Sequence, residues 1–221
     1  MKRTIRVTGK GRLKVQPDQI RIRISLTDTF ALYEEAVRES AKQTEEVKAV
    51  LCEAGLEKKS VKTLDFGVRP KYESYEQNDV WKKRLIGYTF SHEMKVEFDR
   101  DADLLGRVLE QLASCPRNPE FEIEYTVKDE EEAKSKLLEK AVQDSKRKAE
   151  ILCSASGVEL GDIVTIDYSW GEMRFLSETS NDICCCESDY KMMPMGAMDI
   201  EPDDIDISDT VTVIWEIEPI V

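Results

Sequence analysis

Gln19-Ile20-Arg21-Ile22-Arg23-Ile24-Ser25-Leu26-Thr27 puts isoleucine or leucine at every second position, with charged or hydroxyl residues between them. Successive side chains of an extended chain point to opposite faces, so this stretch predicts a strand with one dry and one wet face. The same period of two returns at Ile86, Tyr88, Phe90, His92, Met94, Val96 and Phe98, where Gly87, Thr89, Ser91, Glu93, Lys95 and Glu97 alternate with them. It returns again at Phe121/Ile123/Tyr125/Val127, Val164/Ile166/Tyr168/Trp170 and Val211/Val213/Trp215/Ile217. Leu64, Phe66 and Val68 mark a further strand, and Ile5 and Val7 open the first. One-sided alternation fits antiparallel or mixed sheets covered by helices on one face. It does not fit a doubly wound sheet, whose strands are apolar on both faces.

Three helical patterns lie between these strands. Over about residues 31–54, Tyr33, Ala36/Val37, Ser40/Ala41, Thr44, Val47 and Leu51 recur at helical spacing, and Gly55 is the expected stop. Over about 102–114, Leu104, Leu105, Val108, Leu109 and Leu112 form the inward stripe, ended by Pro116. Over about 130–156 the stripe is Ala133, Leu137, Ala141, Ser145, Ala149 and Leu152, with Asp129 as N-cap, Glu132 three residues on and Gly157 as the stop. The expected class is α+β: mixed, mainly antiparallel sheets with three helices packed on one face, in the order β-β-α-β-β-α-β-α-β-β. Residues 1–221 read as one domain, or as two intimately packed subdomains sharing long strands.

The 221 residues carry 32 Lys+Arg against 45 Asp+Glu, a net charge of −13. Ten acids and one lysine fall between Glu178 and Asp209, so that stretch holds −9 and the remainder only −4. Acidic charge repels phosphate, and the basic clusters Lys82-Lys83-Arg84 and Lys146-Arg147-Lys148 read as a solvated turn and helix face, so no nucleic-acid partner is expected. No apolar run reaches the ~18–20 residues of a membrane span. Met1-Lys2-Arg3-Thr4-Ile5-Arg6-Val7 has bases but no apolar run after them, so no secretory signal is read and a cytoplasmic location is expected. Six cysteines in a reducing compartment are expected to be free thiols.

Residues 178–206 show no period and read as a mobile acidic Cys/Met-rich loop inserted before the last strand. Cys184-Cys185-Cys186 with Met192, Met193, Met195 and Met198 is the most chemically suggestive cluster, since sulfur ligands favour soft ions such as Cu(I). Adjacent cysteines converge poorly on one tetrahedral ion, and an acidic neighbourhood opposes reactive thiolates, so no metal site is assigned and a loop without specific chemistry is preferred. His92, the lone histidine, points to an apolar face and reads as a hydrogen-bonded core or interface group. Ser145-Lys146-Arg147-Lys148 fits S-x-x-K only by count, without its companion motifs. The acidic run Asp199–Asp206 lacks the spaced ligands and glycine of a calcium loop. Gly9-Lys10-Gly11 lacks a third glycine and a following helix, which excludes a dinucleotide site, and suits a bend or bulge between short strands.

Taken in order, the motifs also carry a resemblance. Ile5-Arg6-Val7-Thr8-Gly9-Lys10-Gly11 leads to Val15-Gln16-Pro17-Asp18-Gln19-Ile20. Gly87-Tyr88-Thr89-Phe90-Ser91 leads to Met94-Lys95-Val96. Ala133, Ala141 and Lys148-Ala149 precede Gly157-Val158-Glu159-Leu160-Gly161-Asp162-Ile163, and Ile205-Asp206-Ile207 precedes Val211-Thr212-Val213. Over about residues 4–217 the ordered set resembles the SIMPL-domain family, which implies an α+β fold of antiparallel sheet and long helices. The resemblance also implies self-association, a loose link to oxidative or envelope stress, export in most bacterial members, kinase association in an animal one, and no established catalytic residues. Two departures are the missing export segment and the three adjacent cysteines, although a Met/Ala/Pro-rich loop there is similar to the family's.

The expected function is therefore non-enzymatic: self-assembly into a homo-oligomer and contact with a protein partner not named by the sequence, without a cofactor and with no catalytic residue assigned. Tyr72, Tyr75 and Trp81, in a hairpin-like stretch between the Leu64 and Ile86 strands, are the expected contact surface, against the alternative of an ordinary exposed hairpin tip. A soft-metal or thiol-redox protein using Cys184–Cys186 is the second reading, and an unrecognised enzyme the third.

Overall fold

A computed structural model describes residues 3–169, 173–179 and 201–219. The elements are β1 (Thr4–Val15), β2 (Gln19–Phe30), α1 (Tyr33–Glu53), β3 (Lys62–Gln77), β4 (Val80–Asp99), α2 (Ala102–Ala113), β5 (Glu120–Thr126), α3 (Glu130–Ser156), β6 (Val158–Asp167) and β7 (Ile205–Pro219), with one 3₁₀ turn at Lys58–Ser60. The order and the α+β class are those the alternation and helical spacing predict. The chain divides into two compact units. One holds β1, α3, β6 and β7; the other holds β2, α1, β3, β4, α2 and β5.

In the first unit the strands run in the order β1-β7-β6. β1 and β7 pair antiparallel without a break from Thr4↔Glu216 to Val15↔Ile205. Gly9 and Gly11 are therefore not at a bend or bulge, and that expectation is corrected. Both are buried on the face that carries Val7, and there α3 lies directly on the strand. A Cβ added to Gly9 would sit 2.0 Å from the Ala141 carbonyl oxygen, and one on Gly11 2.2 Å from that of Leu137. The two bare strand positions meet α3 at Leu137, Ala141 and Ser145, all fully buried, so helix and strand backbones approach to contact.

α3 also binds the main chain of β1. The Ser145 hydroxyl donates to Val7 O at 3.2 Å, Lys148 to Thr8 O at 3.1 Å and Lys140 to Arg12 O at 3.4 Å. The Lys10 amide donates to the Asp144 carboxylate at 2.9 Å. Lys148, Arg147 and the Lys10 amide together hold the Asp144 carboxyl well below the usual carboxylate range. An edge strand normally offers unpaired donors and acceptors to any passing strand. Here α3 side chains occupy several of them: Thr8 O, Arg12 O and the Lys10 amide.

β6, the opposite edge, has no further strand beside it among the described residues. Its register with β7 slips twice, between Leu160 and Ile163 and between Ile163 and Thr165. Val164 and Ile166 were read as the dry face of a strand, yet they are 51% and 50% exposed, and Ile163 is 46% exposed. Ile163 and Ile166 pair with the buried Trp215 and Val213, so they share the core face of the sheet. Alternation does not say how far the covering helix reaches, and α3 packs mainly on β1 and β7 and less on β6. Trp170, read as the end of this strand, lies outside the described residues.

In the second unit the order is β3-β4-β2-β5. β2 and β4 pair antiparallel from Gln19↔Asp99 to Phe30↔Tyr88. Ile20, Ile22, Ile24, Leu26, Phe90, Met94 and Val96 pack with Val47 and Leu51 of α1 and Leu105, Val108, Leu109 and Leu112 of α2. The wet face carries an ion ladder: Arg21 to Glu97 at 2.6 Å, Arg23 to Glu93 at 2.8 Å, and Glu124 to both arginines at 3.5 Å. The helix ends follow the residues read from the chain. Asp129 accepts the Glu132 amide at 2.8 Å as N-cap of α3, and Gly157 closes that helix in the left-handed conformation, φ 67°.

Candidate functional site

β3 and β4 run on beyond the sheet. β2 ends opposite Tyr88, so among the described residues the two strands pair only with each other from Tyr72↔Leu85 to Gln77↔Val80. The loop is two residues, Asn78 and Asp79, at φ 56° and 57°. Two successive left-handed residues make the primed turn whose twist suits a hairpin, and Asn and Asp tolerate it best after glycine. This turn signal is present in the sequence and was not read there. At the base, the register shifts between Lys71 and Tyr72, leaving Ile86 as an extra residue. Gly87 follows at φ 155°, where an added Cβ would stand 2.4 Å from the Phe30 carbonyl oxygen. The Phe30 backbone thus approaches Gly87 closely, and this contact marks where the arm leaves the sheet.

The arm is wet on both faces, and its side chains sort by register. Tyr72, Leu85 and Trp81 share one face with Ser74, Lys83 and Glu76. Tyr72 is 57% exposed and Trp81 70%. Tyr75 lies on the other face, where the Arg84 guanidinium sits 5.6 Å from its ring centroid and bonds Glu73 at 2.6 Å. Of the three aromatics named from sequence, the fold thus aligns Tyr72 and Trp81 and turns Tyr75 away. The alignment follows from the register that the two-residue turn at Asn78-Asp79 sets.

His92 belongs to the core, as read. It is 8% exposed, and the Phe66 ring meets it edge-on at 5.3 Å. The Thr44 hydroxyl donates to Ser40 O at 2.8 Å, so it accepts from His92 Nδ1–H at 2.8 Å. Nε2 is then an acceptor for the Thr63 hydroxyl at 2.9 Å. The neutral ring ties β4 to α1 and β3. Burial, with Lys48 of α1 adding to it, lowers its pKa. The folded state therefore binds fewer protons than the unfolded chain. The stability this represents is complete above the unfolded value of about 6.5 and is lost as pH falls from there toward the folded value. Thermal melts from about pH 7 to about pH 5.5 should show the midpoint falling in the wild type and flattening in His92→Gln. Equal slopes would refute the assignment.

Elsewhere the described surface holds a cavity of about 400 Å³ lined by Arg12–Lys14 and Asp206–Ser208. A second, of about 230 Å³, lies among Ser25–Asp28, Gln43, Pro116–Asn118 and Glu120. In the second, Arg117 donates to Glu46 and Gln43 donates to Asp28. Among the described residues no three His, Cys, Asp or Glu side chains converge as metal ligands, and no helix is long and apolar enough to cross a membrane. Cys184, Cys185 and Cys186 lie outside the described residues, as does most of the 178–206 segment.

The features together define a class: helix-covered antiparallel sheets whose unusual element is an exposed arm. The chain belongs to the SIMPL family, described as protein of unknown function (DUF541), whose model matches residues 5–215. Two curated relatives are each named "26 kDa periplasmic immunogenic protein", from Brucella melitensis biotype 1 and Brucella abortus (strain S19). Each is 23% identical over 163 residues, 73% of this chain. The chain spans 65% of the length of these relatives. A solved structure of CutA from Synechococcus elongatus PCC7942 covers 58% of this chain and 96% of its own at 12% identity and TM-score 0.21, an overlap that carries no argument. The relatives correct the expectation of a cytoplasmic protein, since both are named as periplasmic. That expectation rested on reading no apolar run after the bases of Met1–Val7, a local feature that does not bear on how the folded domain packs.

Proposed function

We propose that this chain is a non-catalytic assembly module, working in the periplasm as its Brucella relatives are named to do, and that the arm is where copies meet. The carrying observation is the arm itself: a two-stranded ribbon, Tyr72–Leu85, whose Tyr72, Leu85 and Trp81 align on one exposed face. An isolated two-stranded ribbon is marginal in water and needs a packed face to be stable. Tyr and Trp are the residues that supply most energy in buried contacts. The arm lies apart from the unit's core, so it is free to offer that face outward.

Analytical ultracentrifugation of the full chain tests this reading. The wild type should sediment as an oligomer at high micromolar concentration. The triple variant Tyr72→Ser/Trp81→Ser/Leu85→Ser should sediment as a monomer with unchanged far-UV circular dichroism. A strictly monomeric wild type, or a variant that assembles as the wild type does, would overturn it.

A further inference from the structure

We propose that the β4 edge of the arm of one copy adds to the β6 edge of the next, extending the β1-β7-β6 sheet by a fourth strand. This rests on the self-assembly reading and names the surface that receives the arm.

Both edges are open. Within the arm, β4 pairs with β3 on one side, and β2 stops at Phe30 opposite Tyr88, so nothing among the described residues pairs with its other side. Among the described residues β6 pairs with β7 alone. The remaining edge of that sheet, β1, has its main chain held by Asp144, Lys148 and Lys140 of α3, so an incoming strand is directed to β6.

The two edges complement each other in charge. The arm's β4 segment carries Lys82, Lys83 and Arg84 and no acid; β6 carries Glu159, Asp162 and Asp167 and no base. Arg84 is already paired with Glu73 at 2.6 Å, and Asp167 with Arg6 at 3.6 Å. That leaves Lys82 and Lys83 to face Glu159 and Asp162. Like charges directly across a strand pair destabilise it, which disfavours arm on arm and β6 on β6. Apolar area matches as well: Trp81, Leu85 and Ile86 are 70%, 48% and 43% exposed, and Ile163, Val164 and Ile166 are 46%, 51% and 50% exposed. Main-chain bonds would supply the affinity and the alternating side chains the selectivity, as in other strand additions. The contact joins two different surfaces, so it builds a ring where the rotation closes and a filament where it does not.

The test uses two charge-reversed full chains. Lys82→Glu/Lys83→Glu makes both edges acidic, and Glu159→Lys/Asp162→Lys makes both basic. All four sites are exposed, and unchanged circular dichroism confirms folding. Each variant alone should fail to assemble, its dissociation constant raised at least about tenfold by opposing like charges. Mixed in equal amounts the two should co-assemble, because each arm then finds an edge of opposite sign. Raising salt from about 0.05 M to about 0.5 M should weaken the wild-type assembly. If the wild type assembles and the basic β6 variant assembles equally well, the arm has another partner and this proposal fails while the assembly reading stands. If the mixture stays monomeric, the pairing is wrong. A monomeric wild type removes both.

Discussion

Gly9→Ala should destabilise the first unit by about 3 kcal/mol or more, at the upper end of the cost of overfilling a packed site. The new methyl would meet the Ala141 carbonyl oxygen at 2.0 Å and the Ser145 amide nitrogen at 2.5 Å. These are backbone atoms in the middle of a 27-residue helix, so no rotamer change relieves the clash. Either α3 lifts off β1 or the strand shifts from β7, and both moves disturb the bonds from Ser145, Lys148 and Asp144 to β1. Gly67→Ala is the control. Gly67 lies in β3 with nothing within 4 Å of an added Cβ, so its change should stay within about 0.5 kcal/mol. Denaturant melts give the two energies, and hydrogen exchange shows whether the lost protection falls on β1, α3 and β7. Equal costs for the two glycines would refute the close-approach account.

Phe90→Ala should cost about 3–5 kcal/mol, the range for deleting a large aromatic from a core. Phe90 is fully buried, stacks on Phe30 with ring centroids 6.2 Å apart, and packs in the cluster that holds Ile22, Met94 and Leu109. Trp81→Ala deletes a larger side chain nine residues earlier on the same strand. It should change the stability of the isolated chain by no more than about 0.5 kcal/mol, because Trp81 is 70% exposed and touches no core. Its effect should appear in assembly. One strand thus separates two kinds of aromatic, and paired melting and sedimentation experiments tell them apart. A large melting penalty for Trp81→Ala would mean the arm is packed within its own chain.

Much of the fold was legible from local chemistry. The Ile20–Leu26 and Phe90–Phe98 alternations name strands and their dry faces because side-chain direction in an extended chain has a period of two, whatever the strand pairs with. Asp129 and Gly157 mark the ends of α3 because capping is a matter of a few adjacent residues. His92 was read correctly as a core group from its place on a dry face. The arm was legible as a hairpin with exposed aromatics, and Asn78-Asp79 would have located its turn.

What remained hidden depends on distance along the chain. Gly9-x-Gly11 shows two missing side chains, but that they seat a helix 130 or so residues later is known only once α3 lies on β1. Val164 and Ile166 have the pattern of a covered strand, and whether a helix reaches them depends on where α3 crosses the sheet. The bulge at Ile86, which sets the arm off from the register of the sheet below it, has no local signature. By itself the sequence determined which segments are strands and helices, where they cap and which side of each is dry, because these are decided by neighbours within a few residues. Only the tertiary structure decided which dry sides are covered and which edges are closed, because those depend on contacts between segments whose spacing no local rule encodes.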